Sequence, residues 1–114
     1  MRSFVKVMKA LSDPNRVKII KMLQHKTMCV CEMQAALGIA QPTVSKHLKI
    51  LEDAGMVDSR KDGLWVNYHL TDGGDSPYVA ALLGNLRHWL EDDPQVGFLL
   101  EKLPSIRREE ICRK

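Results

Sequence analysis

Met28-Cys29-Val30-Cys31-Glu32-Met33 is the stretch of this chain best equipped for chemistry. Cys29 through Glu32 has the spacing of a helix capping box, with a thiol where Ser or Thr ordinarily stands. A thiol is a weak acceptor, and losing a good cap costs about 1 kcal/mol, so the sulfur is read as having another task. Unpaired N–H groups at a helix start favour thiolate, and thiolates select soft ions. Side chains two apart on a regular helix point about 200° away from each other. One ion held by both sulfurs would therefore have to bend or unwind the first turn. Cys112, near the end of the chain, is the third thiol. The histidines are weaker candidates. His25 suits a helix end, His69 reads as a hairpin face residue, and His88 beside Glu91 and Asp92 reads as a surface histidine. His47 is open between packing and phosphate contact. The sequence has no Cys-x-x-Cys motif and no His, Asp or Asn constellation for a nucleophilic Cys, which argues against a thiol enzyme.

Helices must position these thiols. Phe4, Val7, Met8 and Leu11 recur at helical spacing. Asp13 caps and Pro14 starts a second helix to about Gln24, burying Val17, Ile20 and Met22 or Leu23. A short helix from Cys29 to Leu37 is closed by Gly38, and another from about Gln41 to Ala54 is closed by Gly55. Strands at 56–61 and 64–70 flank Asp62-Gly63, a strong hairpin signal. A further helix starts near Ser76-Pro77, and its apolar set, Tyr78, Val79, Leu82, Leu83, Leu86, Trp89 and Leu90, exceeds what one small domain needs. That surplus predicts a second copy of the chain as partner. Pro94 and Pro104 bracket one more short helix, and 105–114 reads as a charged, mobile tail.

This order predicts a mostly α, homodimeric winged helix-turn-helix with a β-hairpin wing and a recognition helix over 41–54. Val44, Leu48 and Leu51 share its inner face. Gln41, Thr43, Ser45 and Lys46 are candidates for base edges or phosphates, and Lys49, Arg60 and Lys61 for phosphates. Residues 1–93 form the expected DNA-binding and dimerisation domain, and 94–114 a short helix and tail. Net charge adds little. The chain of 114 residues carries +3, and residues 41–70 hold four basic and four acidic groups. No membrane-spanning stretch or signal peptide is visible, so the expected location is the cytoplasm.

Ala40-Gln41-Pro42-Thr43-Val44-Ser45-Lys46-His47-Leu48, Leu51, Gly55-Met56-Val57 and the hairpin Arg60 to Tyr68 resemble the ArsR family of metal-responsive repressors. So does Ala10-Leu11-Ser12-Asp13-Pro14-Asn15-Arg16. The resemblance spans roughly residues 3–92 and implies a homodimer that binds operator DNA and releases it on binding an inducer. Ala40 stands where the family commonly has Ser. Either the recognition helix starts less firmly, or Gln41 becomes its cap. Cys-Val-Cys-acid is the motif of arsenic- and antimony-responsive members, which implies As(III) or Sb(III) as inducer on Cys29 and Cys31. The third cysteine of such sites often follows three positions later. Gln34 stands there, leaving Cys112 of the same or the partner chain as candidate third ligand. A thiol redox-responsive repressor and a ligand-independent DNA-binding protein are the alternatives within this fold.

Overall fold

The computed structural model describes residues 1–111; Cys112 lies outside them. Among these run α1 (Arg2–Ala10), α2 (Pro14–Leu23), α3 (Val30–Leu37), α4 (Gln41–Asp53), the antiparallel hairpin β1 (Val57–Asp62) and β2 (Trp65–Leu70), α5 (Pro77–Leu86), α6 (Pro94–Lys102) and α7 (Arg108–Ile111). The order and the hairpin agree with the expected winged helix-turn-helix.

Local chemistry sets most boundaries. Asp13 Oδ1 accepts from the Asn15 and Arg16 N–H groups at 2.8 and 3.3 Å, with Pro14 opening α2. Ser76 caps α5 in the same way through Val79 N–H. The hairpin turns one residue later than expected: Asp62 pairs with Trp65, so the loop is Gly63-Leu64. Gly63 has φ +62°, at the first central position, which type II′ turns reserve for glycine.

α2 runs through the centre, burying Ile19, Ile20, Lys21, Met22 and Leu23 against Val44, Leu48 and Leu51 of α4, Met33 of α3 and Val7 of α1. The expected α1 stripe divides between two faces. Val7 and Ala10 are buried, while Phe4 and Met8 stay exposed, with Phe4 edge-on to Tyr78 at 5.2 Å.

Two expectations change toward the C-terminus. α5 stops at Leu86 instead of running on through Leu90, because the buried Lys21 ammonium takes the Leu86 and Trp89 carbonyls at 2.7 and 3.0 Å. Part of the segment to 111 packs on the domain. Leu99, Leu103 and Ile106 join the core. Lys102 donates to Ala36 O at 2.8 Å and Lys26 to Ile106 O at 3.3 Å.

Candidate DNA interface and thiol pair

The turn between α3 and α4 rests on Gly38, whose φ of +69° ends α3 and whose N–H returns to Gln34 O at 2.8 Å. Ala40 occupies the N-cap of α4 without a side-chain bond, and Gln41-Pro42 already lie in the first turn, so Gln41 is not the cap. Val44, Leu48 and Leu51 are buried; Gln41, Thr43, Ser45, Lys46 and Lys49 are exposed on the opposite side. Lys49 pairs with Asp53 at 3.4 Å. Arg60 and Lys61 are exposed on β1.

His47 packs inward. Its Nδ1 lies 3.2 Å from Arg16 Nη1, and since a guanidinium only donates, Nδ1 is the acceptor. Arg16 also donates to Ala10 O at 2.7 Å and Lys9 O at 3.2 Å. One side chain thus ties the end of α1 and the start of α2 to the recognition helix.

Cys29 is the N-cap of α3, in extended conformation with φ −93° and ψ 170°, so it stands outside the helix while Cys31 stands within it. The capping box closes: the Cys29 sulfur faces the Glu32 N–H, and the Glu32 carboxylate accepts the Cys29 N–H at 2.9 Å. Glu32 is itself buried and pairs with Lys26 at 3.5 Å. The expected thiolate is not favoured. Burial pushes the Cys29 thiol up from its ordinary range, the Glu32 carboxylate adds to this, and the Glu32 N–H opposes it without winning.

Cys31 is half-buried and lines an open pocket with Gln34, Ala35, Gly38, Ile39, Ala40 and Ile111. Among the described residues no group of three His, Cys, Asp or Glu could hold a metal ion. His88 and Glu91 fall in the turn after α5, with Glu91 committed to Lys21 at 3.4 Å.

The sequence did not disclose where the residue before Cys29 goes. Met28 exchanges both backbone hydrogen bonds with Tyr68 of β2, at 3.2 and 2.8 Å. The thiol pair is therefore one residue from the wing's own hydrogen-bond ladder. Met28, fully buried ahead of the capping box, offered only an apolar residue as a signal, which does not specify a strand partner.

Residues 13–59 match the model of bacterial regulatory proteins of the arsR family. Over 67 residues the chain is 45% identical to an uncharacterized HTH-type transcriptional regulator of Methanocaldococcus jannaschii, an alignment covering 58% of this chain and 75% of that protein. The chain belongs to the ArsR family. Like other ArsR regulators it is a DNA-binding transcriptional regulator and not an enzyme. It is 36% identical over 78 residues to the arsenical resistance operon repressor of Escherichia coli, covering 68% of this chain and 62% of that one. It is also 43% identical over 63 residues to the cadmium resistance transcriptional regulatory protein of Listeria innocua, covering 54% and 53%. The chain thus spans little more than half the length of these two ArsR relatives. A solved homodimeric winged helix-turn-helix DNA-binding domain from Mycobacterium bovis superposes with a TM-score of 0.64 at 26% identity, over 75% of this chain and 76% of that one. No helix of the described residues is long and apolar enough to cross a membrane.

Proposed function

We propose that this chain is a homodimeric cytoplasmic repressor that grips operator DNA with α4 and the wing. It releases the DNA when As(III) or Sb(III) joins Cys29 and Cys31, with Cys112 as the third thiol. The observation that carries this reading is the position of Cys29, a buried N-cap one residue from the Met28–Tyr68 backbone bridge. An ion shared with Cys31 takes the Cys29 sulfur from its contact with the Glu32 N–H, and a shift of Cys29 passes to Met28 and the edge of the wing. An inducer that binds the displaced state better by a few kcal/mol shifts the population accordingly.

As(OH)3 is neutral and brings its own proton acceptors. Each As–O bond exchanged for an As–S bond releases a hydroxide that leaves with the thiol proton as water, and arsenic keeps its oxidation state. A divalent cation instead requires the thiols to lose protons to solvent. Phe4, Val5, Met8 and Tyr78 form an exposed apolar face on α1 and α5, suited to a second copy.

Two measurements test this reading. The protein, bound to a duplex selected by it from a random pool, is titrated with arsenite, antimonite, Cd2+ and peroxide. Release by arsenite with sulfur-to-arsenic ultraviolet charge transfer is expected; release by peroxide alone, or by Cd2+ alone, removes the metalloid. Separately, Lys46→Ala and Arg60→Ala should each weaken binding and reduce the slope of log affinity against log salt by about one. Unchanged binding in both would displace the DNA interface from α4 and β1.

A further inference from the structure

The wing is poorly held by its own packing. Of β1 only Val57 is buried, and a lone two-stranded hairpin is marginal in water. Its base is fixed by Val57, by Tyr68 and Leu70 of β2 against the core and by the Met28 bridge, but Arg60 and Lys61 lie near the tip, where these anchors do not reach. There Arg108 of α7 intervenes. Its Nη1 donates to Asn67 Oδ1 at 2.6 Å, its Nη2 to Asp62 Oδ2 at 3.3 Å, and its guanidinium lies 4.3 Å from the centre of the Trp65 ring. Asn67 Nδ2 closes the triangle onto Asp62 at 3.4 Å. Asp62 and Trp65 are the last pair of the hairpin, and Asn67 sits opposite Arg60. The Trp65 indole N–H is buried without a hydrogen-bond partner among the described residues, and the Arg108 cation lies over the ring face.

We infer that Arg108 is a positioning residue for DNA binding: it clasps the tip of the wing so that Arg60 and Lys61 meet the phosphate backbone in a fixed geometry. The inference rests on the reading of the wing as a DNA contact. Arg108 arrives preorganised, because Ile106 is buried and its carbonyl is held by Lys26. Arg108 is itself largely covered, and its guanidinium is turned to Asn67, Asp62 and the Trp65 ring, which leaves it poorly placed to reach a phosphate. The exposed Asp62 ion pair alone is worth little. The stacked cation and the short Asn67 bond act on the same few residues, and a guanidinium is needed for all three contacts at once.

Affinity for a wild-type-selected duplex is measured across salt for Arg108→Ala, for Arg108→Lys, for the Arg60→Ala/Lys61→Ala pair, and for the triple variant, with Trp65 emission followed in a Trp89→Phe background. Arg108→Ala is expected to weaken binding roughly fivefold to tenfold, with a salt slope no lower than that of the Arg60→Ala/Lys61→Ala pair and Trp65 emission shifted. Arg108→Lys should recover only part of the loss. In the Arg60→Ala/Lys61→Ala background Arg108→Ala should do nothing further. A salt slope that falls by a further unit or so when Arg108→Ala is added to the Arg60→Ala/Lys61→Ala protein would make it a phosphate contact and overturn the positioning role. A loss of the same size in the Arg60/Lys61-depleted protein would make it a general stabiliser and overturn it equally. If Arg60→Ala/Lys61→Ala itself leaves binding unchanged, the wing reading fails first and the inference falls with it.

Discussion

Lys21→Met is expected to lower stability by about 2–4 kcal/mol, or on the order of 10–20 °C in melting temperature. Lys21 is 1% exposed. Its ammonium has three protons and three acceptors: Leu86 O at 2.7 Å, Trp89 O at 3.0 Å and Glu91 Oε1 at 3.4 Å. Methionine fills much of the same volume and keeps the apolar stem, so little packing is lost. The buried Leu86 carbonyl at the end of α5 and the part-buried Trp89 carbonyl beyond it lose their donor, however, and an unsatisfied buried acceptor costs about 1–3 kcal/mol. Glu91 is mostly solvated and contributes little to the penalty. The turn these carbonyls belong to contains Leu90 at φ +64°, a conformation that costs a non-glycine residue on the order of 1 kcal/mol and that the ammonium helps to hold. Thermal unfolding followed by circular dichroism measures the change. A shift of only two or three degrees would mean that the carbonyls find water and that Lys21 is dispensable.

Replacing Cys29 and Cys31 by Ser should abolish the response to arsenite, raising the concentration needed for DNA release at least about a hundredfold, an apparent loss near 3 kcal/mol. DNA affinity should stay within about threefold. Stability should not fall. Cys29→Ser places a strong acceptor in a capping box that already has its Glu32 partner, and good caps gain up to about 1 kcal/mol. The serine hydroxyl can accept from the Glu32 N–H and donate to its carboxylate, which leaves nothing buried and unpaired. Titrating arsenite against the protein–DNA complex alongside a melting curve reads both effects. A double variant that still releases DNA at the wild-type arsenite concentration would transfer sensing away from α3.

How far the fold could be read from residues depended on how local its causes are. Asp13, Gly38 and Ser76 act on backbone groups within a few positions, and each does what its type implies. The end of α5 could not be read this way, because the group that ends it lies on α2, 65 residues away. Apolar periodicity continues through Trp89 and Leu90, and only the position of a buried ammonium breaks it. The state of Cys29 is similar. Sequence supplied the helix N-terminus, which lowers a thiol's proton affinity, but not the burial and the Glu32 carboxylate that raise it. The seating of the C-terminal segment did leave a trace: Leu99, Leu103 and Ile106 recur at helical spacing, outweighed by the charge of the residues that follow. For the DNA-facing set, the alternation of Val44, Leu48 and Leu51 with exposed polar residues was legible from periodicity alone.

Met28 and Tyr68 are joined through main-chain atoms alone, and peptide groups carry no information about which side chain they bear. A join of this kind does not constrain the identity of the proposed recognition residues Gln41 to Lys49, nor do those residues constrain it. Under the proposed function, operator preference and inducer preference are in that sense written in separate alphabets. A lineage could rewrite either one by point substitution while inheriting the linkage between them intact.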